Sequence, residues 1–464
     1  LTDIITKYKA FAARLVRDPD DPEALVEQFA LLSGQGDKTK NHHYLSLAKR
    51  AYEVQPKHLS TVFNYACAME RTGQFENALK LYDECLPLAE PPDMAQLLHD
   101  IGVSHRGLGD NTTAIKFYDE AIKLNPSPFF KRDRAIAMMA GATMGTHRFT
   151  EALEAFESRR ECAEAKFKTD KSLTSQKRLP PNVVHWKGED LKGKSVVVYH
   201  EEGTGDFIQF SRFIPRLYDL GVSSIKLTGP HPDLLEMIDK NISTDGVVPL
   251  LGFNCDYVVG SMTLPWRLCI EYKDLDGKPY IEAEPAFIPK RGNLNVGLVW
   301  QGSPIYLRNH LRSMPLETMA PLFGTAGIAF HSLQIGHEKD ITNLGLDGFI
   351  ADLTPFMKNW SQTARVISAL DVVVSVDTAV AHLAGAMGKP VFIMVTRGCD
   401  WRWNRDSAIT PWYSSARVFR QQRQGDWSPC IEAVKQQLDE MNGRGRQITE
   451  GIVPSSPGGS VAAG

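Results

Sequence analysis

Apolar positions in the first ~170 residues recur at helical spacing, with almost no strand-like alternation. Beyond Pro180-Pro181 the pattern changes to short apolar runs separated by amphipathic stretches. Within the helical part, small and aromatic residues return in register. "FNYACAMERTGQFENALKLYDECL" and "LHDIGVSHRGLGDNTTAIKFYDEAIKLNP" align Ala66, Gly73, Ala78 and Tyr82 with Gly102, Gly109, Ala114 and Tyr118. The step from Ala78 to Ala114 is 36 residues, and a third copy, "AIAMMAGATMGTHRFTEALEAFESR", places Ala140, Ala152 and Phe156, with Ala152 a further 38 residues on. A degenerate earlier copy ends in "LAKRAYEVQP". Small residues let paired helices approach closely and the aromatic fills the gap to the next pair; a plain antiparallel bundle has no reason to repeat this grammar.

Such a repeat resembles the tetratricopeptide repeat, a helix–turn–helix unit of about 34 residues whose arrays present a concave surface to peptides or proteins. The second half reads differently. "KSVVVYH", "SSIKLTG", "DYVVG", "NVGLVW", "AFHSLQ", "VVVSV" and "PVFIMV" are short strands of the buried, parallel kind. "FIQFSRFIPRLYDL", "SQTARVISAL" and "TAVAHLAGAMG" are the helices between them. That alternation is α/β grammar, divided near "AEPAFIPKRGNLN" into two Rossmann-like units. The expected organisation is helical repeats over 1–170, a linker over 171–193, a first α/β unit over 194–288, a second over 293–440, and a disordered tail, "PSSPGGSVAAG" included, over 441–464.

Composition adds exclusions. The chain of 464 residues is long enough for two to four domains, with 43% hydrophobic and 23% charged residues. A formal net charge of −3 gives no reason to expect a nucleic-acid partner. Seven scattered cysteines without a CxxC pair fit neither a disulfide framework nor a zinc site, and suit a reducing, cytoplasmic setting. No apolar run approaches the ~20 residues of a membrane span, and no secretory signal is visible. The chain opens on Leu rather than Met, so an upstream start is expected.

In open α/β sheets the chemistry belongs at the carboxyl ends of the strands. There "YHEEGTGDFIQF" sets Gly203 and Gly205 in a tight turn, with Asp206 at the helix start either as a cap or as a carboxylate able to deprotonate a hydroxyl. The loop after Trp300 carries Gly302, Arg308, His310 and Arg312, a solvated basic loop or a phosphate site. After "FHSLQIGHE", Gln334 or Glu338 can reach a ribose or base. In "SVDTAVAHLAGAMGKP", Asp377 or Thr378 caps a helix whose free N–H groups also suit a diphosphate, with His382 one turn on. Trp401, Trp403, Trp412 and Trp427, among Arg397, Arg402, Arg405 and Arg417, form a ligand wall or, for most of them, ordinary packing.

In this order, "EEGTGDFIQFSRF", "VGLVWQGSP", "FHSLQIG", "VVVSVDTAVAHLAGAMGKPV", "DWRW" and "RQQRQGDW" resemble bacterial proteins that fuse tetratricopeptide repeats to a domain of glycosyltransferase family 9, akin to the heptosyltransferases. The resemblance implies an all-α solenoid followed by an α/β GT-B fold of two Rossmann-like domains. It implies inverting transfer from a nucleotide-sugar with no bound metal or cofactor. By resemblance Asp206 is the general base on the acceptor. Arg312, Asp377, Thr378 and His382 likewise lie on the donor side, and Lys389 closes the same signature; Trp300, Gly302 and Gln334, from their places at strand ends, are expected on the donor side too. The loop after Trp300 departs from the family: "RNHLRS" stands where relatives carry Asn-Asp-Arg-Asn-Arg-Ser, and "TRGCDWRW" is less apolar than the family version. The function expected is transfer to a hydroxyl of a protein acceptor, such as a flagellin, held by the repeats. Transfer to lipopolysaccharide or capsule, and a non-catalytic scaffold, are the alternatives.

Overall fold

Three turns of the helical half share one backbone solution. Gly73, Gly109 and Gly145 follow each other at 36-residue steps, with φ of 80°, 80° and 75°. This is the left-handed region that glycine enters without a Cβ penalty. At each turn two amides fold back on the helix just ended. Gly73 donates to Glu70 O at 2.9 Å and Gln74 to Met69 O at 2.9 Å. Gly109 and Asp110 repeat this on Arg106 (2.8 Å) and His105 (2.9 Å), as do Gly145 and Thr146 on Ala142 (3.1 Å) and Gly141 (3.0 Å). The paired cap satisfies the last carbonyls and points the chain into the return helix.

The computed structural model describes residues 10–34, 41–169, 179–289, 292–403 and 407–450, apart from positions 12, 181, 305 and 307. The helices pair successively: α1 (Pro22–Gly34) with α2 (Asn41–Val54), α3 (Leu59–Arg71) with α4 (Phe75–Cys85), α5 (Pro91–Gly107) with α6 (Asn111–Leu124), α7 (Pro128–Thr143) with α8 (Phe149–Ala155), followed by α9 (Ser158–Thr169). Tyr82 and Tyr118 are wholly buried, and a methyl added at Gly102 would stand 2.7 Å from the Tyr118 ring. The small-plus-aromatic grammar is therefore helix packing.

The first α/β unit runs β1 (Ser195–Tyr199), α10 (Thr204–Ser211), β2 (Ser224–Thr228), α11 (Pro232–Ile242) and β3 (Tyr257–Gly260), in parallel order β2-β1-β3. The second holds β4 (Leu294–Val299), β5 (Ile328–Ser332), α12 (Glu338–Asn343), β6 (Ile350–Asp352), α13 (Trp360–Ser368), β7 (Val372–Val376), α14 (Ala379–Ala386), β8 (Val391–Val395), β9 (Ala416–Arg420) and α15 (Ser428–Glu450). Its parallel order, β6-β5-β4-β7-β8-β9, reverses direction between β4 and β7. Every residue of β4, β7 and β8 is buried, as parallel strands covered on both faces must be. A crevice opens at the reversal, beyond the ends of β4 and β7.

Helical repeats followed by parallel α/β units agree with the expected architecture; several details differ. "FIQFSRFIPRLYDL" is two segments, α10 and a tighter helix Ile214–Leu220, because Pro215 supplies no N–H to a continuous α-helix. β6 and β9 went unread, one being three residues long and the other, "ARVFR", interrupted by charge. The second part of the 171–193 linker is docked: Trp186 is buried, and its N–H reaches Val258 O at 2.9 Å on the sheet edge. Residues 441–450, placed in a disordered tail, continue α15, and Asn442 donates to Ala326 O at 3.0 Å. The rest of that tail, 451–464, lies outside the described residues.

One hydrophobic core runs without interruption from the last repeats into both α/β units. At its centre Trp412, fully buried, meets Phe149 of α8 (6.4 Å between ring centres), Phe210 (5.8 Å) and Phe213 (6.3 Å) of the first unit, and Trp401 (5.7 Å) of the second. Trp412→Ala removes a side chain against which all three parts pack. The expected loss is about 3–5 kcal/mol, read by calorimetry as a lowered Tm and a single transition breaking into separate ones.

Candidate functional site

The site forms where α10 and α14, each starting directly after a strand, point their N-termini at one another. Gly203 begins the α10 turn and its N–H donates to Asp206 Oδ2 at 2.9 Å. The residue before it, Glu202, is held at φ 52°, a conformation that costs a non-glycine residue energy and is characteristic of functional loops. Gly205 faces α14 closely: a Cβ there would lie 2.7 Å from His382 Cδ2. Close approach of the two helices, rather than turn geometry, is what this glycine supplies.

On the α14 side, Thr378 is the N-cap, its Oγ1 accepting from Ala381 N–H at 3.4 Å and sharing a 2.8 Å hydrogen bond with Ser375 Oγ. Capping is thus what Thr378 does here, while Asp377 beside it is left to charge interactions. Asp377 Oδ2 lies 3.7 Å from Arg312 Nη1, and Oδ1 lies 3.9 Å from His382 Nε2. His382 is buried with Nδ1 2.9 Å from Tyr413 Oη, and burial together with Arg402, Arg312 and Arg212 holds its pKa well below the usual value. Neutral His382 therefore cannot offset Asp377. Burial pushes the Asp377 carboxyl up to about 6, with Arg312 opposing the rise and Asp400 adding to it.

Arg402 completes the cluster. Its Nη2 pairs with Asp206 Oδ1 and its Nε donates to Gln209 Oε1, both on α10, while Nη1 donates to Asp400 Oδ1 at 2.8 Å. Burial works against its charge, but Asp400 and Asp206 outweigh it and raise the guanidinium's pKa further. Arg402, Asp400 and Gln209 were not singled out as site residues. The "DWRW" spacing held the signal, a cation between two tryptophans, yet only the fold reveals that it meets Asp206.

Other expected residues take different positions. Trp300 is fully buried in the second unit's core, its Nε1 donating to Asp340 Oδ2 at 3.2 Å, so its ring does not line a ligand surface. Gln334 Oε1 accepts from Trp300 N–H (3.0 Å) and Gln301 N–H (2.8 Å), holding the turn after β4. Gly302 lies under Arg312, its N–H on Ser313 Oγ at 3.0 Å. Glu338 folds back on Gly336 N–H (2.8 Å). Lys389 Nζ donates to Leu370 O at 2.7 Å, at the opposite end of β7 from Asp377. Trp401, Trp403, Trp412 and Trp427 are buried packing, Arg417 pairs with Gln437 of α15, and Arg405 lies outside the described residues.

The basic loop after Trp300 divides its charges. Arg312 faces Asp377, but Arg308 turns to Glu70 of α3 at 2.9 Å, and His310 Nε2 lies 2.6 Å from Arg71 O. Arg397, after β8, pairs with Glu76 at 3.1 Å. Arg159 of α9 grips Glu201, just before the glycine turn, at 3.1 Å. The helical half thus braces all three loops that frame the cluster. Among the described residues, no three His, Cys, Asp or Glu side chains converge to hold a metal ion, and no helix is long and apolar enough to cross a membrane.

Residues 339–434, which include β7, Asp377 and α14, match the model of glycosyltransferase family 9 (heptosyltransferase), and residues 95–128 match that of the tetratricopeptide repeat. The chain carries tetratricopeptide repeats and a glycosyltransferase family 9 domain. Protein FlbA of Caulobacter vibrioides is 23% identical over 474 residues, spanning 92% of this chain and 74% of that protein. Photosystem I assembly protein Ycf3 of Rippkaea orientalis is 38% identical over 55 residues, 12% of this chain and 32% of that protein. Among solved structures, MamA from Desulfovibrio magneticus RS-1 aligns with 35% of this chain and 97% of its own at 16% identity, with a TM-score of 0.28. The family 9 domain supports glycosyltransferase activity, and the repeats suggest protein interaction.

Within this cluster, Asp377 weakens the fold wherever it is charged. Its pKa is raised above the ordinary 3.8, so its stabilising, protonated form is present at low pH and is lost as pH rises through about 6. At roughly 1.4 kcal/mol per pKa unit, Asp377→Asn is expected to gain on the order of 3 kcal/mol near pH 8 and almost nothing near pH 3. Thermal unfolding of both proteins across that range checks it; a gain independent of pH would contradict the burial of the charge.

Proposed function

We propose that the chain transfers a sugar from a nucleotide-sugar to a hydroxyl of a protein acceptor held on its repeats. In this reading the two α/β units act as a GT-B pair, with the donor on the second and the acceptor hydroxyl on the first. The carrying observation is the bracing just described: Glu70, Glu76 and Arg159 of the repeats hold the loops around Asp206, Arg312 and Arg402. A partner on the repeats is thereby placed at a fixed distance from the cluster.

In this reading the acceptor oxygen forms a bond to the anomeric carbon as the bond to the diphosphate oxygen breaks, with inversion. The acceptor's proton passes to Asp206, whose side chain keeps about a quarter of its surface exposed. Arg312 and the start of α14 meet the charge that builds on the departing diphosphate. Cytoplasmic residence and independence from metal belong to the same proposal, and undiminished turnover in excess chelator is its check on the metal.

The scaffold reading has one observation in its favour, the close approach of the two helix starts at Gly205, where an added Cβ would lie 2.7 Å from His382 Cδ2. Thermal shift against a panel of nucleotide-sugars, then intact-mass analysis of acceptor proteins co-expressed with the chain, separates the readings. A transferase shows a stabilising donor and an acceptor gaining whole sugar masses; a scaffold shows neither. Asp206→Asn is expected to lower transfer by at least about 10²-fold while the donor-induced thermal shift persists. Full turnover by that variant would remove Asp206 from the role of base.

A further inference from the structure

We propose that Arg402 is a positioning residue for this transfer: carried by the second unit, it orients Asp206 of the first. Arg402 has this role on the reading that Asp206 is the base.

The geometry leaves Arg402 little freedom. Its three guanidinium nitrogens are committed to Asp400, Gln209 and Asp206. Its flat faces are covered by Trp401, 4.6 Å from ring centre to guanidinium carbon, and by Phe210 at 5.6 Å. The backbone is pinned as well, Arg402 N–H donating to Asp400 Oδ1 at 3.1 Å and Arg402 O accepting from Thr410 Oγ1 at 3.1 Å. Buried Trp401 and Trp403 flank it on either side. A guanidinium fixed in this way aims the carboxylate it pairs with.

Asp206 is held at both oxygens, Oδ1 by Arg402 and Oδ2 by the Gly203 N–H. Each oxygen has a further lone pair, so an acceptor hydroxyl can still be received. The two anchors differ in origin. Gly203 belongs to Asp206's own turn and holds it in any arrangement of the units. Arg402 arrives from the loop after β8, so its hold on Asp206 rests on the packing of the second unit against the first.

The charged groups around Asp206 are few. Arg402 touches it, Asp400 and Asp377 act on Arg402, and the two nearby imidazoles are neutral: burial lowers His200 to about 4 and His382 well below its usual value. The cation that aims Asp206 is therefore Arg402, and Asp400 in turn holds Arg402.

The test measures kcat and donor KM for the wild-type chain and for Arg402→Gln, Arg402→Lys and Asp400→Asn. Expected for Arg402→Gln are a kcat lowered at least tenfold and a donor KM within about threefold of wild type. Arg402→Lys should restore part of the rate. Asp400→Asn, at a partly exposed position, should lower kcat less than Arg402→Gln with donor KM unchanged, and serves if Arg402→Gln does not fold. A kcat unchanged in all three variants overturns the assignment while leaving the transferase reading intact. Absence of donor turnover by the wild-type chain overturns both.

Discussion

The structure depends on a shared aromatic seam. Trp412 and Trp401 of the second unit, Phe210 and Phe213 of the first and Phe149 of the repeats all meet within the 6.4 Å ring separations seen around Trp412. Were each part to close its own core, the chain would behave as beads on a string. Here all three parts share one core besides the separate clusters of the repeats and the second unit, and the relative placement of the three follows from packing rather than from the linkers. This constraint lets residues nearly two hundred positions apart in the chain, Asp206 and Arg402, form one ion pair.

The electrostatics of the cluster run against stability. Asp206, Asp400 and Asp377 gather around Arg402, and half-buried Asp377 is desolvated enough to be raised to about 6 despite Arg312. A fold selected for stability alone has no use for a half-buried carboxyl charged at neutral pH, or for Glu202 in a left-handed conformation beside the glycine turn. Both lie where the two helix N-termini face each other. Strain and unfavourable charge concentrated at one crevice are the physical signature of a site maintained for binding or chemistry.

Much of this was legible from the chain. The repeat showed in Ala78, Ala114, Tyr82 and Tyr118, because helix packing demands small and aromatic residues at set intervals. The turn at Gly203 and the helix after "VVVSV" showed because strand ends, glycine and capping residues are local signals. Other assignments failed where they depended on the direction a side chain takes. Trp300 ends β4 and points into the core; Lys389 lies in the signature but at the other end of the strand; Arg308 and His310 turn to the repeats instead of to a phosphate. A loop's composition states how many cations it holds, and only its surroundings decide what each one faces.

Read by itself, the sequence determined the two periodicities, the glycine turns at 36-residue steps, the strand-to-helix junctions carrying Asp206 and Thr378, and with them the resemblance that names the chemistry. All of these are set within a few residues or within one repeat, where backbone sterics and apolar spacing decide. Tertiary structure alone decided that the segment around Trp186 docks on a sheet edge, that the repeats brace three site loops, and that Arg402 rather than Arg308 joins the cluster. Those outcomes rest on which buried surfaces fit together around Trp412, and complementarity between surfaces far apart in the chain leaves no periodic trace in either of them.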